Sequence, residues 1–146
     1  LKWPNDIYYQ EKKIGGILCE SKIKKDAIDK IVIGVGINVN ETIEEHPDDL
    51  QKSITTMFSI TKHAHQRELI VAEFINSFER LLKKLNDKPT SIIDEWLNYC
   101  LHLNKKVSFS NDKQLDEGTF IGLNEKGYAQ IEINGEVKTY NSINLI

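Results

Sequence analysis

The chain has 146 residues, of which 40% are hydrophobic and 28% charged, and its formal net charge at pH 7 is −3. These proportions are ordinary for one globular domain or for one and a half, and the weak negative charge gives no sign of a nucleic-acid partner. No apolar run reaches membrane-spanning length, and no signal-peptide pattern opens the chain. Cys19 and Cys100 lie in apolar contexts and are predicted to be buried free thiols in a reducing cytoplasm.

The first elements are predicted to be a turn and two short strands. Residues 2–6, KWPND, have strong turn chemistry, because proline presets φ and the Asn and Asp side chains bond to nearby backbone. Strands are predicted over residues 7–9 and 14–21, with a turn between them. Residues 21–30 carry four lysines and are predicted to be a solvated hairpin connection.

Residues 31–40, IVIGVGINVN, are predicted to form a strand with two unlike faces. The odd-numbered residues make a continuous β-branched surface suited to a core. The even-numbered face carries Gly34 and Gly36 and then the amides Asn38 and Asn40. Two glycines on one face indicate that something approaches the backbone there. That partner is either a ligand with an apolar body and a polar head or a helix packed close on the glycines.

Two helices are predicted to follow an acidic loop at residues 41–51. The first spans residues 66–85, and a second runs from Thr90 or Ser91 to about His102. The apolar stripe of the first helix is predicted to pack in the core against the sheet; it consists of Val71, Phe74, Ile75, Phe78, Leu81, Leu82 and Leu85. The histidines near these helices have no cysteine or carboxylate at ligand spacing, so a zinc site is not expected.

After residue 104 the pattern changes to short strands with a period of two. Asn134 and Gly135 between the last two strands predict a type I′ hairpin turn, and Gly118 and Gly127 predict two further turns. Four or five short strands in about forty residues suggest a small closed β-barrel. The predicted domain division is therefore residues 1–103 and residues 104–146.

Three motifs together resemble, in order and spacing, the later half of the catalytic domain of biotin protein ligases, the biotin–[acetyl-CoA-carboxylase] ligases. They are KWPND at residues 2–6, KIGGIL at 13–18 and GVGINVN at 34–40. The C-terminal segment is similar to the SH3-like domain of that family. The resemblance implies an α+β fold with a mixed β-sheet and packed helices, as in class II synthetases, followed by a small SH3-like β-barrel.

The resemblance implies a two-step acyl transfer. Biotin attacks the α-phosphate of ATP to give biotinyl-adenylate, and a lysine of a biotin carboxyl carrier protein then attacks that anhydride. ATP and Mg²⁺ are the implied co-substrate and ion, biotin is the substrate, and no prosthetic group is expected. The C-terminal domain assists ATP and carrier binding in this family, and a homodimer is a possible assembly.

Site residues follow from the same motif match. Lys13 corresponds to the catalytic lysine at the biotin carboxylate and the α-phosphate. The wall along the biotin tail corresponds to Gly16, Leu18, Gly34 and Gly36, and the nucleotide side to Lys2, Asn5, Asp6 and Asn38. Asp6 is expected either to orient Lys13 or to help hold Mg²⁺, and Trp3 is expected to pack rather than to stack on adenine. Residues 54–57, ITTM, depart from the family pattern and receive no function.

The chain starts inside a motif, and no segment matches the glycine- and arginine-rich loop that lies upstream in the family. We therefore expect a fragment that carries part of a site and does not biotinylate a carrier efficiently by itself. Two alternatives stay open. One is a lipoate ligase-like acyltransferase, because that group shares the catalytic fold, and the other is a non-catalytic binding module.

Overall fold

The computed structural model describes residues 1–111 and 114–146. It divides into two compact units, one formed by residues 5–70 and the other by residues 1–4 and 71–146. The predicted α+β class is confirmed: antiparallel sheets are joined by helices, and one isolated parallel bridge links Lys13 to Ile54. The domain division predicted at residue 103 stays a prediction.

The unit of residues 5–70 is built on a three-stranded antiparallel sheet. Its strands, in the order β1-β2-β3, are β1 (Asp6–Tyr9), β2 (Lys12–Lys24) and β3 (Ala27–Ile37). The solvated hairpin connection predicted at residues 21–30 is confirmed as an exposed hairpin, but β2 and β3 continue through it as paired strands rather than ending at a loop. The hairpin turns at Lys25 and Asp26, whose φ angles are 49° and 61°, as a two-residue type I′ turn requires.

The far part of this hairpin is not a core surface. Ile31 and Ile33 are 57% and 42% exposed, so the continuous buried face predicted for β3 is wrong in that part. Cys19, which pairs with Ile33 across the strands, is also exposed, against the prediction of a buried thiol. Alternation identifies the side chains that share a face, but burial requires a second layer over that face.

The helices are α1 (Met57–Thr61), α2 (Arg67–Asp87) and α3 (Thr90–Leu97). The second predicted helix is shorter than expected, since it ends at Leu97. The apolar stripe of α2 is not core: no residue of α2 is buried, and Phe74 and Phe78 stack on each other while partly exposed. None of the helices in the described parts of the chain is both long and apolar enough to cross a bilayer.

The second unit has a five-stranded antiparallel sheet in the order β7-β6-β5-β4-β8. Its strands are β4 (Lys105–Asn111), β5 (Gln114–Leu123), β6 (Ala129–Ile133), β7 (Glu136–Tyr140) and β8 (Asn144–Leu145). The hairpin turn at Asn134 and Gly135 is confirmed, with φ angles of 52° and 83°. The predicted closure of this sheet into a barrel stays a prediction.

Phe109, Phe120 and Ile131 are fully buried at the centre of this unit, and Trp3 packs into the same core. The Trp3 indole N–H donates to the Gly127 carbonyl at 3.1 Å, which confirms a packing role. The turn predicted at Gly118 is wrong, since Gly118 lies inside β5. A Cβ there would come within 2.5 Å of Ile131 Cγ2, so this glycine permits close strand packing.

Candidate functional site

A cavity of about 430 Å³ opens on one face of the β1-β2-β3 sheet. Its described lining contains one carboxylate and one ammonium group, and the rest is backbone, aliphatic side chains and one amide. The lining residues are Asn5, Asp6, Lys13, Gly16, Ile17, Leu18, Gly34, Val35 and Gly36. Seven of the sequence-predicted site residues therefore share one cavity, and its lining combines an apolar floor with a charged edge.

A β-bulge brings Lys13 to this face of the sheet. In the β1–β2 pair Asp6 lies opposite Gly16 and Ile7 opposite Gly15, but Tyr8 lies opposite Lys13, so Ile14 is left without a partner. Without that extra residue, alternation would direct Lys13 and Gly16 to opposite faces. With it, Lys13 and Gly16 both lie on the face that carries the cavity.

The β2–β3 register assembles the floor beside Lys13. Gly16 pairs with Gly36 and Leu18 pairs with Gly34, and directly paired residues in an antiparallel sheet point to the same face. A Cβ placed on Gly36 would meet nothing within 4 Å, and one on Gly34 only the Leu18 carbonyl oxygen at 3.8 Å. Within the described residues, no helix packs on these glycines. Among the described residues the floor is therefore open, with no helix over it.

An ion pair occupies the charged edge of the cavity. Lys13 Nζ lies 2.5 Å from Asp6 Oδ1, and the two side chains are 42% and 27% exposed. A Cβ on Gly16 would come 3.3 Å from Asp6 Oδ1 and 3.4 Å from Lys13 Cε, so the pair lies directly over this glycine. Since Lys13 is partly open to solvent, its ammonium can reach an anion in the cavity.

Asn38 lies just beyond β3 and is held by three hydrogen bonds. Its backbone N–H donates to the Ile14 carbonyl at 2.8 Å, and its carbonyl accepts from the N–H of Met57 at 3.0 Å. Its side-chain amide donates to the Thr55 carbonyl at 3.1 Å. These bonds fix both the backbone and the side chain of a residue predicted to face the nucleotide.

Residues 53–57 form a strap, called here the tie segment, along the bulged end of β2. Lys13 donates its N–H to the Ser53 carbonyl at 2.9 Å and accepts from the Thr55 N–H at 2.8 Å, which makes the parallel bridge. Ile54, Thr55 and Thr56 are all buried. Sequence reasoning assigned no function to this segment, and the only signal in the sequence was a pair of threonines before a short apolar run.

A second set of contacts holds the start of the loop after β3. The Asn40 side chain exchanges two 2.8 Å hydrogen bonds with the backbone of His65, and Glu41 pairs with Arg67 at 2.9 Å. Glu41 also accepts from the Val39 N–H at 2.8 Å. Hydrogen bonds from its own backbone N–H and from Val39, together with Arg67, lower the pKa of Glu41.

Lys2 belongs to the other compact unit, so it is described apart from this cavity. Asn5 accepts a hydrogen bond from the Ile17 N–H through its backbone carbonyl at 2.8 Å. No group of three or more His, Cys, Asp or Glu side chains is positioned to hold a metal ion among residues 1–111 and 114–146.

The cavity unites an ammonium group with an open glycine floor, and it lies within a part of the chain that a known protein family matches. Residues 1–38 match the Biotin/lipoate A/B protein ligase family. The biotin protein ligase of Aquifex aeolicus has the same fold, with a TM-score of 0.85 and 32% identity over 100% of this chain and 64% of that one. This chain is thus similar to a biotin protein ligase over its whole length.

Curated relatives agree with the structural comparison. The bifunctional ligase/repressor BirA of Bacillus subtilis is 27% identical over 99% of this chain and 45% of its own length. The human biotin–protein ligase is 30% identical over 95% of this chain and 19% of its own length. The Aquifex aeolicus enzyme in complex with biotin and ATP matches with a TM-score of 0.83. The chain thus spans less than half the length of these two curated relatives.

Proposed function

We propose that this chain supplies the floor and the cationic residue of a site that joins biotin to the AMP moiety of ATP. In the full-length protein the biotinyl group would then pass to a lysine of a biotin carboxyl carrier protein. The observation that carries the proposal is the bulge at Ile14, which brings Lys13 onto the face of Gly16 and Gly36. The Aquifex aeolicus ligase in complex with biotin and ATP supports these two molecules as substrates.

The proposed biotin site uses both halves of the cavity lining. The aliphatic tail of biotin lies along the open floor of Gly16, Leu18, Gly34 and Gly36, where the missing side chains leave room for it. Its carboxylate meets Lys13 at the edge. An aliphatic chain gains by leaving water for an apolar surface, and a charged hydrogen bond fixes its acid end.

Lys13 serves the first chemical step. The biotin carboxylate attacks the α-phosphorus of ATP, a P–O bond forms, and pyrophosphate leaves. Two anions must approach each other, so an ammonium between them lowers the repulsion and stabilises charge that develops in the transition state. Asp6 orients this ammonium through the 2.5 Å ion pair until the substrate oxygens replace it as the partner.

Magnesium fits this site as a companion of ATP rather than as an ion held by the protein alone. Mg²⁺ usually keeps several waters and binds one or two carboxylates together with substrate phosphates. Asp6 is the one carboxylate among the described lining residues, and its second oxygen is available for that purpose. When bound, the ion neutralises phosphate charge.

The nucleotide side is assigned to Lys2, Asn5, Asp6 and Asn38 as part of the same proposal. Asn5 and Asp6 support it by lining the cavity beside Lys13, and Asn38 by its fixed side chain. Residues 104–146 are proposed as the SH3-like domain that assists ATP and carrier binding. We also propose a cytoplasmic location and leave a homodimer as a possible assembly.

The second candidate is a lipoate ligase-like activity, because the matching family description names lipoate as well as biotin. The experiment is a pyrophosphate-exchange assay on the full-length protein with biotin or lipoate as the acid. We expect exchange that depends on biotin and that lipoate does not support. Exchange driven by lipoate alone would select the second candidate, and no exchange with either acid would leave a non-catalytic binding module.

A further inference from the structure

The tie segment contacts two residues that the proposed function assigns to different substrates. Through Ser53 and Thr55 it pairs with the backbone of Lys13, and through Thr55 and Met57 it binds Asn38. Lys13 is assigned to the biotin carboxylate and Asn38 to the nucleotide. The segment therefore has hydrogen bonds to residues on both sides of the proposed reaction.

Thr56 fixes the direction of this segment. Its side chain is completely buried, with an exposed fraction of 0%. Its hydroxyl oxygen accepts from the Ser59 N–H at 3.0 Å and lies 3.0 Å from the Ser59 hydroxyl, which caps the start of α1. A buried hydroxyl that lost these partners would be costly, so the hydroxyl holds the extended backbone at Thr56 against alternatives.

That backbone direction determines where the neighbouring groups point. The carbonyl of Thr55, just before the cap, accepts from the Asn38 side chain, and the N–H of Met57, just after it, donates to the Asn38 carbonyl. A rotation at Thr56 would move both groups together. Asn38 would then lose its side-chain bond and one backbone bond in a single change.

We propose that Thr56 is a positioning residue that holds Asn38 against the nucleotide and in register with Lys13. This inference rests on the proposed function and adds a residue to it. The glycine floor is held by the β2–β3 pairing and does not depend on Thr56. Loss of the Thr56 hydroxyl should therefore weaken the use of ATP more than the binding of biotin, because small misplacements of reacting groups reduce rates strongly.

The test compares Thr56→Val and Thr56→Ser in the full-length protein by biotin-dependent pyrophosphate exchange. Thr56→Val keeps the shape and loses the hydroxyl, and we expect the KM for ATP to rise about fivefold or more, the size of one lost capping bond. The Kd for biotin should change by less than about twofold, and Thr56→Ser should restore the wild-type values. Thr61→Val is the matched control, since it removes an exposed hydroxyl bonded to Met57 in the same helix.

Amide hydrogen exchange gives a readout that does not need activity. In Thr56→Val the N–H groups of Lys13, Thr55 and Met57 should exchange faster than in Thr61→Val, while those of the β2–β3 hairpin beyond the bulge, from Gly15 onward, stay unchanged. An equal rise in the KM for ATP and the Kd for biotin would overturn the inference. Amide exchange rates in Thr56→Val equal to those in Thr61→Val would overturn it as well. If the wild type shows no exchange of pyrophosphate, the proposed function fails, and unchanged amide protection in Thr56→Val would then reject the positioning role separately.

If Thr56→Val does not fold, Ser59→Ala replaces it. That variant removes only the Ser59 hydroxyl and leaves the Ser59 N–H bonded to Thr56. We expect a smaller rise in the KM for ATP in the same direction, with biotin binding retained. A Ser59→Ala protein with an unchanged KM for ATP and unchanged amide hydrogen exchange at Met57 would contradict the positioning role of the Thr56 hydroxyl.

Discussion

Gly16 lies directly opposite Asp6 in the β1–β2 pair, and a Cβ on Gly16 would come 3.3 Å from Asp6 Oδ1. The ion pair between Asp6 and Lys13 thus extends over a position without a side chain. The glycine serves two purposes in the proposed site. It leaves room for the ion pair above it, and it continues the open floor formed by Gly34 and Gly36.

Lys13→Ala in the full-length protein should reduce adenylate formation by about 100-fold or more, because groups that stabilise developing charge typically contribute on that scale. The fold should survive, since the Lys13 side chain is half exposed and its hydrogen bonds to the tie segment are made by backbone. Biotin-dependent pyrophosphate exchange measures the rate, and circular dichroism measures the fold.

Lys12→Ala is the matched control for this change. Lys12 is the neighbouring lysine on the same strand, pairs with Tyr9 and is directed to the opposite face of the sheet. It should retain wild-type exchange activity. Equal losses in the two variants, or unchanged pyrophosphate release in Lys13→Ala, would remove Lys13 from its proposed role.

Gly36→Ala and Gly15→Ala should separate binding from folding. A Cβ on Gly36 meets open space, so the free energy of unfolding of Gly36→Ala should differ from wild type by less than about 1 kcal/mol. The new methyl group nevertheless occupies the proposed biotin floor. A Cβ on Gly15 would approach within 2.4 Å of the Gly36 carbonyl oxygen, which belongs to backbone and cannot move aside. Gly15→Ala should therefore destabilise the sheet.

Titration calorimetry with biotin and urea unfolding, both on the full-length protein, measure the two effects. We expect Gly36→Ala to bind biotin about tenfold or more weakly at unchanged stability, a free-energy loss of about 1.4 kcal/mol. Tight biotin binding by Gly36→Ala would show that the tail does not lie on this floor. Wild-type stability in Gly15→Ala would show that the strands can separate there without cost.

The bulge at Ile14 shows why the site was only partly predictable. The sequence shows glycines and a lysine at the spacing of the motif, and the motif match assigned their roles. The sequence alone could not determine that Lys13 and Gly16, three residues apart, point to one face. That depends on the partner strand, which leaves Ile14 unpaired, and a bulge of this kind has no local composition signal.

Burial was the least predictable property of the elements. The period of α2 predicted the helix, and the alternation in residues 31–40 predicted the strand, but Val71, Ile75 and Ile31 are more than half exposed. Periodicity identifies the apolar face of an element, whereas burial depends on what covers that face. The tie segment was missed because its contacts with Lys13 and Asn38 are made by its backbone, and every residue type except proline has both a backbone N–H and a carbonyl.

His102 is a buried titratable group whose protonation is linked to stability. Its ring is buried and packs edge-on against Phe120, with the ring centroids 4.2 Å apart, and its Nε2 has no hydrogen-bond partner among residues 1–111 and 114–146. Burial, and then the positive charges of Lys2, the N-terminal amine and Lys105, lower the pKa of His102 to about 4 from an ordinary value of 6.5. The native protein therefore holds this imidazole neutral over a pH range in which the unfolded chain is protonated.

The pH dependence of unfolding follows from that difference. As the pH falls below 6.5, His102 binds a proton in the unfolded chain, whereas in the native protein it stays neutral until about pH 4. The free energy of unfolding therefore decreases across this range, by about 2 kcal/mol at pH 5 and about 3 kcal/mol in total.

Urea unfolding of the 146-residue chain from pH 7.5 to 4 measures this decrease. His102→Phe keeps a ring against Phe120 and should abolish this part of the slope, while His63→Phe, at an exposed position, should retain it. Equal slopes in wild type and His102→Phe would show that His102 titrates normally in the folded protein.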